Sequence, residues 1–508
     1  MRRTLVAGLL ALALLAGVAR AALLRGTPQA DTITGSAVSD TIDALGGNDR
    51  ISTAWDDKRD VVNCGQGQDA LNDDLRDTWT NCETVATRVS RDRTTAFDAQ
   101  HETQVEPDSF SAGSTIVSAF QSGRVDGGGA AAIGWATSTD AGKHWRAGTL
   151  PQSRYELVSD PVVAYDATHA TWMVAALGSG DTGVELWVSR SRDGVTWSQP
   201  VVAADDAPEE YDKEWVACDN SARSSFKGRC YLAYVDFAAQ LLGVRRSLDG
   251  GQTWSDAVRV SPGTGSPIFT GPFPVVRTDG TLVIPYALFV QGGQDRIGAL
   301  VSADGGLTFA PPVTVAPLEF EADADLRSEG MPAADVDSAG KVYLVWSDSR
   351  LREDGVSNDI VLSTSANGFT WTAPTRVPLP REGAGIAKNY VLPAIAVAPN
   401  TAGKMAKLAV AVYSLRLRDG CKTFLPGCTK QLDAWLVRSK DGGKTWASPR
   451  LLSAEPIRLE WLATTTRGHM LGDYISVSWA GGKPWAILPL ATRAAFGYAE
   501  SIFAATAP

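Results

Sequence analysis

Histidine is scarce in this chain: His101, His144, His169 and His469 are all there is among 508 residues. That leaves no spacing able to build a zinc site, and neither a phosphate-cradling glycine loop nor a local Ser-His-Asp signature is present. Cationic residues are outnumbered, 47 Lys and Arg against 57 Asp and Glu, for a net charge of −10. A general attraction to nucleic acid or to an anionic membrane is therefore excluded. Long apolar runs are missing too, apart from the opening MRRTLVAGLLALALLAGVARA. There Arg2 and Arg3 precede the apolar stretch, and Ala19-Arg20-Ala21 places small residues around a cleavage point. That is the pattern of a secretory signal peptide over residues 1–21. With no second run long enough to cross a bilayer, the expectation is a secreted, extracellular protein without membrane insertion, acting as a monomer.

Turn formers are plentiful, with 49 Gly and 26 Pro, and 16 Trp is a heavy load. Six cysteines fall into three local couples: Cys64 with Cys82, Cys218 with Cys230, and Cys421 with Cys428. Six cysteines allow fifteen pairings, and export plus proximity favours these three as disulfides over free buried thiols.

From Ala30 to Leu71 an Asp-x-aliphatic beat runs through Asp31, Asp40, Asp49, Asp60 and Asp69, each followed two residues later by Ile, Val or Leu. This nine-residue beat resembles the RTX (haemolysin-type) parallel β-roll, whose Gly-rich turns hold calcium through aspartates. The turns GGND and GQGQD keep their glycines, whereas PQAD and AVSD do not. Two readings follow for residues 22–83. One is a roll that binds calcium through Asp31, Asp40, Asp49 and Asp69; the other is a metal-free roll stapled by Cys64 and Cys82.

Farther on, an eight-residue cluster recurs: STDAGKHW at Ser138, SRDGVTW at Ser191, SLDGGQTW at Ser247, SADGGLTF at Ser302, SANGFTW at Ser365 and SKDGGKTW at Ser439. The copies stand about 50 to 75 residues apart, a period typical of repeat architectures. Each follows short alternating strands. In such a cluster Asp bonds turn amides, Gly supplies positive φ and Trp packs into a seam, which makes it a structural staple and not a catalytic element. These residues resemble the Asp box, S-x-D-x-G-x-x-W, of sialidase-like (BNR repeat) β-propellers. The resemblance covers roughly Glu102 to Pro508 and implies an all-β fold: a β-propeller over residues 84–508, of seven blades or alternatively six, with Thr84 to Ser90 closing the ring.

In propellers, ligands bind where first strands begin and second strands end. First-strand starts here carry Glu106, Asp160, Asp212-Lys213-Glu214, Arg327 with Glu329, Asn389-Tyr390, and His469 with Asp473-Tyr474. Second-strand ends carry Arg124, Asp236, Asp348 with Arg350, Arg416, and Arg493. The expectation is that Arg124, Arg350, Arg416 and Arg493 bind the carboxylate of an acidic glycan, such as a sialic or uronic acid. Hydrolysis would then use Tyr474 as nucleophile with Asp160, Asp212 or Glu329 as acid, as the resemblance to sialidases implies. The F/Y-R-I-P motif of true sialidases is absent; Arg296-Ile297 is followed by Gly298. The arginines are therefore chosen by position alone. Two alternatives stand beside this reading: a non-catalytic carbohydrate-binding or adhesive propeller, and a polysaccharide lyase on uronate polymers using His469 and Tyr474.

Overall fold

The computed structural model describes residues 22–151, 154–180, 183–205, 210–261, 268–352, 355, 357–380, 388–418 and 429–507. Residues 1–21, expected from sequence to be a signal segment, and the expected couple Cys421 with Cys428 lie outside them. No α-helix forms among the described residues, only two short 3-10 turns, Gly403–Met405 and Leu459–Trp461. Among the described residues no helix is long and apolar enough to cross a membrane.

The Asp-x-aliphatic beat becomes a β-solenoid of about four stacked coils. Leu23–Arg25, Thr41–Asp43, Val61–Asn63 and Thr78–Thr80 pair in parallel as one wall. Thr32–Thr34, Arg50–Ser52, Ala70–Asp74 and Thr84–Arg88 form the other. Two beats make one coil. Between the walls, Ile33, Ile42, Ile51, Val62, Leu71 and Val85 fill the interior. The retained glycines mark where coils touch: a Cβ at Gly67 would fall 1.5 Å from the Gly47 carbonyl oxygen. Cys64 and Cys82 are disulfide-bonded at the end of the coil stack.

The expected β-propeller of seven or six blades is corrected by this architecture, which is a β-solenoid continued by antiparallel sheets. Separate blades do not form around the chain ends. Instead Thr84–Arg88, the last rung of the solenoid, pairs antiparallel with Glu500–Thr506, so the second wall of the coils, the C-terminal strands and the strands up to Val201–Ala204 run on as one fifteen-stranded sheet. The physical reason is that the Asp box reports only a local turn between antiparallel strands. It carries no information about how an edge strand far along the chain is paired. Further sheets begin at Tyr211–Cys218, Ile268–Thr270, Ala333–Val336 and Asn389–Val397, each with its strands in sequence order. Cys218 and Cys230 are bonded across the first two strands of one of them.

The boxes themselves are staples, as their composition requires. In SKDGGKTW, Ser439 donates to Asp441 at 2.8 Å and accepts from the Gly443 N–H. Asp441 accepts the N–H groups of Lys444 and Thr445. Those bonds, led by the Thr445 hydroxyl, hold the carboxyl down to about 2. Gly442 and Gly443 take φ of 73° and 87°, and Trp446 packs against the apolar core between sheets. Asn367 does the same work in the Ser365 copy.

Candidate functional site

Three charged residues reach one interior point by the same device. Glu106, Asp160 and Lys213 each have positive φ, 53°, 51° and 53°, a left-handed conformation that costs a non-glycine residue energy. Each lies in a β-bulge, where two residues oppose one on the neighbouring strand: in Gln100–Ala112 against Thr115–Arg124, in Leu157–Asp166 against Thr171–Gly180, and in Tyr211–Cys218 against Cys230–Asp236. A bulge re-aims a side chain that regular alternation would send elsewhere. Leu392 repeats the geometry at φ 55° with an apolar side chain. Pro107, Pro161 and Pro393 follow bulged residues, inside their strands and not at the start, where a missing N–H is tolerated.

Lys213 is the hub. Its Nζ lies 2.6 Å from Asp473, 3.3 Å from Asp160, 3.7 Å from Asp212 and 3.8 Å from Glu329. Arg327 grips Asp473 through Nε and Nη2 and reaches Glu329 at 3.5 Å. Arg467 closes the ring from outside, 2.6 Å from Glu329. Glu106 accepts the Asp473 N–H and a Gln121 amide. The floor is sealed and the mouth is not: the Lys213 side chain is 3% exposed, Asp212 33% and Arg467 62%.

The electrostatics follow from that gradient. Burial opposes the Lys213 charge, but Asp160, Asp212, Asp473 and Glu329 outweigh it and hold the ammonium well above its usual range. Asp473 feels the reverse: against burial, Lys213 and Arg327 keep it far below the carboxylate range. Asp212 is raised to about 7, chiefly by burial, with Lys213 opposing and Asp160, Glu329 and Asp473 adding to the rise. Glu214 is enclosed, neither of its oxygens has a hydrogen-bond partner among the described residues, and burial drives its carboxyl well up.

Of the residues read from sequence, Asp160, Asp212, Glu329 and Tyr474 meet in this cluster. Tyr474, however, donates its hydroxyl to the Pro161 carbonyl at 3.0 Å and stands edge-on to Trp215. Burial, then Glu106 and Asp160, push its phenol far above the usual range. Arg124 borders the cluster but donates to the Val125 and Gly129 carbonyls. The other arginines are placed apart: Arg350 is held by Asp348, Arg416 by Asp433, and Arg493 is exposed. The His469 ring meets the Leu462 carbonyl at 3.2 Å. Lys213, Arg327, Glu106 and Asp473 were visible as strand-start charges, whereas Arg467 had no sequence signal.

In the solenoid, Asp31, Asp40, Asp49 and Asp69 stack as ladders. The N–H groups of Asp31, Asp40, Asp49 and Asp69 donate to Asp49, Asp60, Asp69 and Glu83, one coil on. The second oxygens of Asp49, Asp60 and Asp69 are buried without a partner among the described residues. No three His, Cys, Asp or Glu side chains among those residues are grouped to hold a metal.

A family model for the BNR repeat-like domain matches residues 166–503. The chain belongs to that family. The family's span takes in every Asp box but the first, and Lys213, Arg327, Glu329 and Asp473 with them. No curated protein matches the chain. Among solved structures, a Hadza microbial sialidase is similar at 15% identity over 76% of this chain and 75% of its own, with a TM-score of 0.43. A protein of unknown function from Dyadobacter fermentans is similar at 14% over 84% and 98%, TM-score 0.42. A polysaccharide lyase, an ulvan lyase, is similar at 10% over 80% and 94%, TM-score 0.42. No residue role is carried over from them.

Proposed function

We propose that the chain is a carbohydrate-active protein and that the Lys213 cluster is its glycan site. The observation that carries this reading is the pair of carboxylates, Asp212 and Glu329, both within 3.8 Å of one buried ammonium at the open end of the cluster. Glycoside hydrolysis in most families needs two carboxyl groups across the scissile bond, one of them a proton donor at working pH. Asp212, raised to about 7, holds a proton near neutrality and gives it to the leaving oxygen. Glu329 is the opposing carboxylate, oriented by Lys213, Arg327 and Arg467. Asp160, Asp473 and Glu106 set the position of Lys213 and Arg327 from below. Tyr474 has no nucleophilic part here, because its hydroxyl is turned to Pro161.

The narrower reading, an acidic sugar as ligand, rests on Arg467, the exposed guanidinium at the mouth. Calcium in the coils rests on the spare oxygens of Asp49, Asp60 and Asp69. The test of the main reading is turnover of a panel of sialosides, uronate oligosaccharides and neutral glycans, reading new reducing ends and unsaturated products. Wild type is expected to release reducing ends, and Asp212→Asn to lower the rate by about 10²–10⁴-fold. Turnover indifferent to Asp212→Asn and Glu329→Gln, or no glycan turned over or bound, rejects it.

A further inference from the structure

A groove of about 580 Å³ runs between the solenoid and the first antiparallel strands, away from the Lys213 cluster. This is within the range of small-ligand sites. One side is the coil turn at Asp74 to Arg76; the other is the strand Arg146–Thr149. The scaffold is continuous, because Thr84–Arg88 joins the coils to Glu500–Thr506 in the same sheet as Gln100–Ala112 and Thr115–Arg124. The floor is polar and buried: Ser90 donates to Gln104 at 2.5 Å, Gln104 to Ser122 at 3.3 Å, and Ser122 to Asp92 at 3.0 Å.

The charges in the groove are unevenly engaged. Asp57 is taken by Arg88 and Arg91, Glu102 by Arg91, Asp74 by Arg88 and the Arg76 N–H, and Asp92 by Ser122 and the Thr94 N–H. Arg76 and Arg93 also line the groove, are exposed, and make no ion pair among the described residues. The acids therefore each face a cation or a donor, one Asp74 oxygen alone lacking a hydrogen bond among the described residues, while two guanidinium forks are open. A planar fork suits a carboxylate or a sulfate, and a floor of hydroxyl and amide groups suits sugar hydroxyls. We propose that this groove is a second binding site, for an oligosaccharide bearing carboxylate or sulfate groups, held by Arg76 and Arg93 over the Ser90–Gln104–Ser122 floor.

Calorimetric titration of the whole mature protein tests this with three probes: an oligogalacturonate, a heparin-derived oligosaccharide and a neutral malto-oligosaccharide. At least one anionic probe is expected to bind, more weakly as salt rises, while the neutral one binds far more weakly. The tighter of the two anionic probes names the anion. The Arg76→Ala/Arg93→Ala double variant is expected to lose at least about tenfold in affinity with an unchanged melting temperature. The same loss is expected when the double change is added to Asp212→Asn, in which the cluster's own chemistry is disabled, and this separates the groove from the cluster. Full affinity in the double variant, no loss on adding the double change to Asp212→Asn, equal binding of the neutral probe, or no binding of either anionic probe each overturns the proposal.

Discussion

Lys213 Nζ lies 2.6 Å from Asp473 Oδ2, and both side chains are closed off from solvent. The two belong to strands and loops far apart in sequence, so their pairing ties the Tyr211–Cys218 sheet to the segment that leads into Ser476–Ala480. Charges removed from water at this cost in desolvation are weak evidence of a purely stabilising role, since an apolar pair of similar volume does as well or better. Lys213 shares its strained, bulged conformation with Glu106 and Asp160, and strain of this kind is what motivates the proposal of a site there.

Removing Lys213 leaves Asp160 without its ammonium and Asp473 with Arg327 alone. Lys213→Met is expected to destabilise the protein by about 3–5 kcal/mol, read from chemical denaturation. Adding Asp160→Asn to it, which removes the stranded carboxylate, should recover part of that loss. A single variant as stable as wild type would mean that the interior is open to water.

Arg416 belongs to a lock between solenoid and sheets. It reaches Asp433 at 3.3 Å, and Arg50 of the coils reaches the same carboxylate at 3.4 Å. Arg416→Ala is expected to lower the melting temperature, by about 1–3 kcal/mol of stability, and to leave glycan binding untouched. Weakened binding at unchanged stability would restore it to the ligand-holding set.

The aspartate ladder makes the coils sensitive to pH. Burial, the largest cause, raises Asp49 to about 6, Asp60 to about 7 and Asp69 to about 6, whereas an unfolded chain titrates near 4. A raised folded value favours the protonated form, so this contribution is full below about pH 4 and is lost as pH rises through 6 and 7. Asp60→Asn should remove much of the loss, seen as a higher melting temperature at pH 8 and a flatter pH profile. Millimolar calcium at pH 8 should raise the melting temperature if the spare oxygens bind it. No shift leaves the ladder metal-free.

Much of this was legible in the residues. The Asp boxes gave the turns, the nine-residue beat gave half a coil, and charges at strand starts pointed to Asp160, Asp212, Lys213, Arg327 and Asp473 before any contact was known. The bulges were not legible, because the left-handed residue in each is Glu, Asp, Lys or Leu, and none is the glycine that would announce positive φ. Arg350 and Arg416 shared the right position class, yet Asp348 and Asp433 occupy their guanidinium groups. The pairing of Thr84–Arg88 with Glu500–Thr506 spans nearly the whole chain, beyond the reach of a local pattern.

The central claim is that Asp212 supplies the proton for glycan chemistry at the Lys213 cluster. The pH dependence of turnover, on whichever glycan the panel reveals, tests it most directly. Wild-type activity is expected to fall as pH rises through about 7, where Asp212 loses its proton. In Asp212→Asn that limb should vanish and the rate should drop by about 10²–10⁴-fold. Wild-type turnover in Asp212→Asn, with the same limb in place, would contradict the account.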